Sequence, residues 1–161
     1  MILDKIREKF AAELLESHQD RGEFVAVIKK DRIHEILQQL RDDPELRFDF
    51  LMDLCGVDRR TLNEPSRFEV VYQLYSSIHN HRLRLRVKLA ETDLQLPTST
   101  DLWKTANWFE RECWEMYGIV FVGHPNLKHL LLFDGFAGHP LRKDYPSAKR
   151  QSIPIPEEKP S

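Results

Sequence analysis

At 161 residues, with 41% hydrophobic and 31% charged side chains and a formal charge of −2, the chain has the composition of one globular domain. The near-neutral balance excludes a nucleic-acid footprint, which needs a basic surplus on one face, and the short basic run Arg142-Lys143 with Lys149-Arg150 does not supply one. Two cysteines, Cys55 and Cys113, make no CxxC or zinc pattern and point to a reducing, intracellular setting; no secretory leader is expected, because Asp4, Lys5, Arg7 and Glu8 stand where its apolar core would be, and no apolar run approaches the ~20 residues that cross a bilayer.

Residues 2–17 place Leu3, Ile6, Phe10 and Leu14 at helical spacing, which predicts one amphipathic helix. Gly22 breaks the pattern, and the Val- and Ile-rich run Glu23–Lys30 reads as a strand. Asp31 is placed to cap a second helix with Ile33, Ile36, Leu37 and Leu40 on its buried face, ended by Asp42-Asp43-Pro44. Residues 46–57 are apolar with little alternation, so a helical turn is expected near Phe48–Met52 and a strand through Leu54–Asp58. Asn63-Glu64-Pro65-Ser66 marks a turn. Phe68, Val70, Tyr72 and Leu74 alternate so as to point one way, and Leu83, Leu85, Val87 and Leu89 alternate with Arg82, Arg84, Arg86 and Lys88. Those two runs predict a hairpin around 77–81 with one greasy face and one solvated, cationic face, and with His79 and His81 exposed at its turn.

After a polar connector, in which Ser99 or Asp101 caps a turn presenting Leu102 and Trp103, comes the most specific stretch, residues 106–146. Asn107 and Glu110 have capping-box spacing, Arg111 and Glu115 stand at i and i+4 where they can pair, and Gly118 offers a left-handed stop, so a helix of about three turns is expected here. Beyond it a short strand, Ile119–Val122, leads into Gly123-His124-Pro125, Phe133-Asp134-Gly135, Gly138-His139-Pro140 and Tyr145-Pro146, which exclude regular helix. Yet this irregular segment carries Leu127, Leu130, Leu131, Leu132, Phe133, Phe136, Leu141 and Tyr145, which must be buried on its own domain or on a neighbour. The last residues, with Pro154, Pro156 and Pro160, have no helical period.

The fold class that follows is α+β: a small mixed or antiparallel sheet with two or three helices (1–118), then an extended Pro/Gly-rich docking arm (119–161) that is not an independent domain. Chemistry by motif is sparse. Cys55 and Cys113 read as small apolar residues, with nothing nearby to depress the thiol pKa. His124, His129, Asp134 and His139 lack metal-ligand spacing, and a stand-alone metal enzyme using them is the remote alternative. Glu110 is explained as a cap, and Glu112 has no identifiable acid–base partner. Arg142-Lys143-Asp144-Tyr145 combines anchors favoured at protein interfaces and ends the segment that needs something to pack on.

Asn107-Trp108-Phe109-Glu110-Arg111-Glu112, Met116-Tyr117-Gly118-Ile119, Phe121, Gly123-His124-Pro125, Leu127 and Gly138-His139-Pro140-Leu141-Arg142-Lys143-Asp144-Tyr145-Pro146 together resemble the signature of the C subunit of the proton-pumping NADH:quinone oxidoreductase, respiratory complex I. Residues 48–58 and the hairpin extend the likeness over most of the chain. The resemblance implies a non-catalytic structural subunit of the peripheral arm that supports electron transfer from NADH to quinone. It implies no catalytic, metal or cofactor-binding residue in this chain, while the assembly uses FMN, iron–sulfur clusters and quinone. Its partners would be the large D subunit, which helps form the quinone site, and other peripheral-arm subunits, with no nucleic acid. It would meet the membrane only through the complex, on the cytoplasmic face of a bacterial inner or a thylakoid membrane. Relatives serve ferredoxin-using and archaeal deazaflavin-using complexes and membrane-bound nickel–iron hydrogenases, which are the alternative assemblies. Partner contacts are expected at His124, Pro125, Leu127, His139, Pro140, Leu141, Arg142, Lys143, Asp144 and Tyr145, and structural roles at Asn107, Glu110, Arg111, Glu112 and Gly118.

Overall fold

The computed structural model describes residues 2–60 and 66–153. The turn expected at 63–66 falls mostly outside them, as does the proline-rich end from Pro154 onward. The elements run α1 (Ile2–Lys9), β1 (Leu14–Asp20), β2 (Glu23–Ile28), α2 (Ile33–Asp42), β3 (Phe50–Asp58), β4 (Phe68–Ser76), β5 (His81–Leu89), β6 (Gln95–Pro97), α3 (Ala106–Tyr117) and β7 (Val120–Val122). This is the α+β class expected from the pattern.

One sheet has the order β1-β2-β5-β4-β3, antiparallel throughout except for the parallel β2–β5 pair, which α2 and the β3–β4 run connect. The β4–β5 hairpin runs in register from Phe68↔Leu89 to Ser76↔His81. Its inward row of Phe68, Val70, Tyr72, Leu74, Leu83, Leu85, Val87 and Leu89 is buried against Ile6, Phe10, Ile33, Ile36, Leu37 and Leu40 of the α1 and α2 region. Burying large aliphatic and aromatic side chains contributes about 1.5–3 kcal/mol each, so this layer dominates the stability of the fold.

Several local expectations are corrected. The first helix stops at Lys9, and residues 14–20 form a strand instead of its continuation. Arg21 (φ 48) and Gly22 (φ 87) form a two-residue turn with both φ positive, so Asp20 pairs with Glu23 and the chain doubles back as a hairpin. Asp31 does not cap α2; Arg32 holds that position without a side-chain cap bond and engages Glu35 and Glu13 instead. Residues 50–52 are strand, not a helical turn, and a bulge between Leu51 and Asp53 turns both Met52 and Asp53 outward, which is why the sequence shows so little alternation there. The cationic face is only partly solvated: Arg84 pairs with Glu23 at 2.6 Å, and Arg86 and Arg59 converge on Glu69, which is buried. His81 is half-buried, with Nε2 2.7 Å from the Leu46 carbonyl and its ring on Phe48, while His79 reaches the Pro44 carbonyl at 2.9 Å.

The β6–β7 pair is parallel, Leu96↔Phe121, so the chain leaving α3 returns at once to the segment that preceded it. Helix α3 packs along the edge strand β3. There the Tyr117 ring lies so close to Gly56 that a Cβ at that position would stand 2.5 Å from Tyr117 Cδ2. Only glycine permits that approach.

Candidate functional site

The site is built on α3. The chain is already wound before the helix begins, with the amides of 106, 107 and 108 bonded to the carbonyls of 103, 104 and 105. Thr105 is therefore the N-cap, Asn107 sits inside the first turn, and the expected capping box does not form. Glu110 points into the protein instead. Its carboxylate accepts from the Ser99 amide and hydroxyl, each at 2.7 Å, and from the Thr98 hydroxyl at 2.5 Å. Burial raises its pKa, against the pull of those bonds.

Arg111 and Glu115 do not pair with each other. Each grips the segment after β7. Arg111, 7% exposed, donates from Nε to the Lys128 carbonyl at 3.0 Å and from Nη2 to the His129 carbonyl at 2.6 Å, and its guanidinium lies 5.2 Å from the Trp108 ring. Glu115, 1% exposed, accepts the amides of Leu130 (3.0 Å), Leu131 (2.8 Å) and Leu132 (3.2 Å), with His129 Nδ1 at 3.3 Å. Burial pushes this carboxyl up, but the three amides and the histidine outweigh it and hold it below the usual range. Two side chains one helical turn apart thus satisfy five consecutive backbone groups of an irregular segment, which has no helix or sheet ladder to supply partners for them.

The end of α3 is closed by the same arm. Gly118 (φ 77) returns its amide to the Trp114 carbonyl at 2.7 Å. His139 Nδ1 donates to the Glu115 carbonyl (2.9 Å), the Leu141 amide to that of Met116 (3.2 Å), and Arg142 Nε to that of Tyr117 (2.7 Å). The carbonyls that a helix leaves without partners are all met here, and a cation sits at the negative end of the helix. His124 anchors the arm's start, donating from Nε2 to the Asn107 carbonyl (3.1 Å) while Nδ1 accepts the Asn126 amide (3.0 Å).

Farther along, the Asp58 carboxylate at the end of β3 takes Arg67 in a two-point contact (3.1 and 2.8 Å) and the Lys143 amide at 2.8 Å, and Arg67 also reaches Asp144 at 2.8 Å. Burial works against ionisation of Asp58, yet Arg67 and the Lys143 and Arg60 amides prevail and hold it at about 2. Tyr145 stacks near Phe136, and its hydroxyl accepts from Gln151 at 2.8 Å.

Several of the residues expected at a partner surface also have partners within the chain. His124, His139, Arg142, Asp144 and Tyr145 are each bonded within the chain. Of the other residues expected at a partner surface, Leu127 and Pro140 are half-buried, while Pro125, Leu141 and Lys143 are exposed. Glu112 is exposed, and Trp108 and Leu131, which were not expected as contacts, are 57% and 63% exposed. The Asp58–Arg67 pair was also missed; the two lie on either side of the β3–β4 connection, and no short-range spacing signals them. His124 goes to the Asn107 carbonyl, His129 to the Glu115 carboxylate and His139 to the Glu115 carbonyl, and among the described residues no group of three or more His, Cys, Asp or Glu could hold a metal ion. No helix of the described residues is long and apolar enough to cross a membrane. The arrangement laces the irregular arm onto α3 and the end of β3.

A family described as respiratory-chain NADH dehydrogenase, 30 Kd subunit, matches residues 26–151. A protein of Citrifermentans bemidjiense, named as the C subunit of NADH-quinone oxidoreductase, is 46% identical over 142 residues, 88% of this chain and 86% of its own. The protein of the same name from Roseiflexus castenholzii is 44% identical over 90% of this chain and 82% of its own. Among solved structures, a trypsin-resistant fragment of Nqo5 superposes with a TM-score of 0.69 at 35% identity, covering 79% of this chain and 100% of that one. A chain of an archaeal membrane-bound sulfane sulfur reductase superposes with a TM-score of 0.74 over 99% of this chain and 97% of its own, at 18% identity, a likeness of fold alone.

Proposed function

The chain belongs to the respiratory-chain NADH dehydrogenase 30 Kd subunit family, and on that premise we propose that it is the C subunit of an NADH:quinone oxidoreductase and that its part in the complex is structural. It supports electron transfer from NADH to quinone by holding neighbouring subunits in place and carries no catalytic group of its own. The flavin, iron–sulfur clusters and quinone belong, in this reading, to other subunits. The large quinone-site subunit is the partner of the arm, and the chain meets the membrane peripherally, on the cytoplasmic face.

One observation carries this reading. The arm has almost no regular structure, yet it is bonded along its length to α3 and the end of β3, while Trp108 and Leu131 beside the Arg111 and Glu115 anchors stay exposed. A solitary protein gains little by fixing large apolar groups in water, whereas aromatic and aliphatic anchors on a rigid frame suit an interface. The expected partner residues Pro125, Leu141 and Lys143 lie on the same arm.

Trp108→Ala with Leu131→Asp tests the proposal. The isolated variant should stay folded, with its melting temperature lowered only by the loss of the Trp108 ring's contact with Arg111, and assembly into the complex should fall by roughly tenfold or more, the size expected for loss of an interfacial anchor. Full incorporation of the doubly substituted chain would contradict it.

A further inference from the structure

A groove runs between the edge strand β3 and helix α3, and neither the core nor the arm fills it. Its volume is about 190 Å³, more than the ~150 Å³ cavity that accommodates a benzene ring. Phe109, Met116 and Leu141 give it apolar walls, and one end is closed by the Tyr117 ring lying on Gly56.

Two acids flank it. Asp53 comes from the bulge in β3, which turns it outward, and Glu112 from the exposed side of α3. Neither carboxylate has an ion pair or a side-chain hydrogen bond among the described residues. Buried acids nearby are treated otherwise: Asp58 takes Arg67, Glu69 takes Arg59 and Arg86, and Glu115 takes backbone amides. Asp53 and Glu112 both line the groove, as does Cys55.

An apolar slot with two unpaired carboxylates at its rim has the complement of one kind of side chain: a cation on a long aliphatic stem, which buries its methylenes and leaves its charge at the edge. We propose that the β3–α3 groove receives a lysine- or arginine-bearing apolar segment of a neighbouring subunit, with the cation at Asp53 and Glu112 and the stem on Met116 and Leu141. This rests on the assembly reading above and adds a second contact surface to it, separate from Trp108 and Leu131.

Alkylation of Cys55 by a small maleimide reads the groove directly, because Cys55 is exposed and Cys113 is buried. In the isolated chain Cys55 reacts at a rate independent of protein concentration. In the assembled complex the rate falls by roughly tenfold or more, as expected for a site occluded by even ~1.4 kcal/mol of local binding. Asp53→Asn with Glu112→Gln restores alkylation in the complex, or releases the chain at lower salt than wild type while the isolated variant melts as wild type does. Equal rates in the free and assembled wild-type chain overturn the proposal. So does protection that survives the double substitution with unchanged salt resistance. Protection that grows with concentration of the isolated chain would assign the groove to a second copy and overturn it as well. A wild-type chain that never enters the complex overturns the assembly reading beneath, and this one with it.

Discussion

Glu115 accepts the Leu131 amide at 2.8 Å from a carboxylate that is 1% exposed, and Leu131 itself points its side chain into solvent at 63% exposure. The helix thus holds the backbone of the arm and leaves the side chain free. Replacing Glu115 by Ala removes the acceptor of three consecutive amides. A charged hydrogen bond of this kind contributes about 1.5–3 kcal/mol, so a loss of that size or somewhat more is expected. Hydrogen exchange should show it locally, with the amides of Leu130, Leu131 and Leu132 losing protection while those of the β4–β5 hairpin keep it.

Carboxyls held low in the folded chain set the acid limb of stability, Asp58 and Glu115 among several that include Asp43, Glu69 and Asp144. Asp58 is held at about 2 in the folded chain, below the 3.8 of a free aspartate, and Glu115 is also lowered. A depressed folded pKa means the unfolded state binds the proton more tightly. The stabilisation is complete above the unfolded pKa and is lost as pH falls through the folded one. Chemical denaturation between pH 5 and pH 2 should show a decline, of which Asp58 accounts for about 1–2 kcal/mol. Asp58→Asn should be less stable than wild type at neutral pH and should show a shallower decline.

Glu110 has the opposite sign. Burial raises its folded pKa above the 4.5 of a free glutamate, so the folded state holds the proton more tightly, and wild-type stability drops as pH rises from the unfolded pKa through the folded one. Glu110→Gln keeps the volume and an acceptor for Ser99 but removes the charge. It should be close to neutral at pH 7 and should erase that drop, whereas Glu110→Ala, which strands the Ser99 and Thr98 donors, should cost about 1–3 kcal/mol. Thermal melts of the three proteins from pH 4 to pH 8 decide between these outcomes.

Gly118 and Gly135 separate backbone strain from lost contact. Both have positive φ, 77 and 92, but a Cβ at Gly118 would lie 2.5 Å from Arg142 Nη2 and 2.6 Å from His139 Nε2, while at Gly135 it meets nothing within 4 Å. Gly135→Ala should cost only the backbone term, about 1–2 kcal/mol. Gly118→Ala should cost more, because it also displaces the two side chains that close α3. Equal losses of melting temperature would show that Arg142 and His139 contribute nothing to the cap.

Much of the fold was legible in the sequence, and the failures have specific causes. The β4–β5 hairpin declared itself because strict alternation of eight apolar positions admits one reading. The strand at 14–20 did not, because Leu14 extends the helical spacing of Ile6 and Phe10 and only the Arg21-Gly22 turn reverses the chain. Alternation in β3 was hidden by its bulge. On α3, Arg111 and Glu115 had the spacing of a surface ion pair, and nothing local indicates that a segment some fifteen residues later would claim both. The same distance concealed the capping roles of His139 and Arg142, so residues with local work looked like free anchors. The family resemblance needed none of this, since it rests on residue order along 107–146.

The central claim is that α3 and its arm form a prebuilt surface for another subunit of the complex. Hydroxyl-radical footprinting of the chain, isolated and within the assembled complex, tests it most directly. Trp108 and Leu131 should oxidise readily in the isolated chain and be protected in the complex by roughly tenfold or more, as for residues buried in an interface core. Equal oxidation of both in the two states would contradict the account.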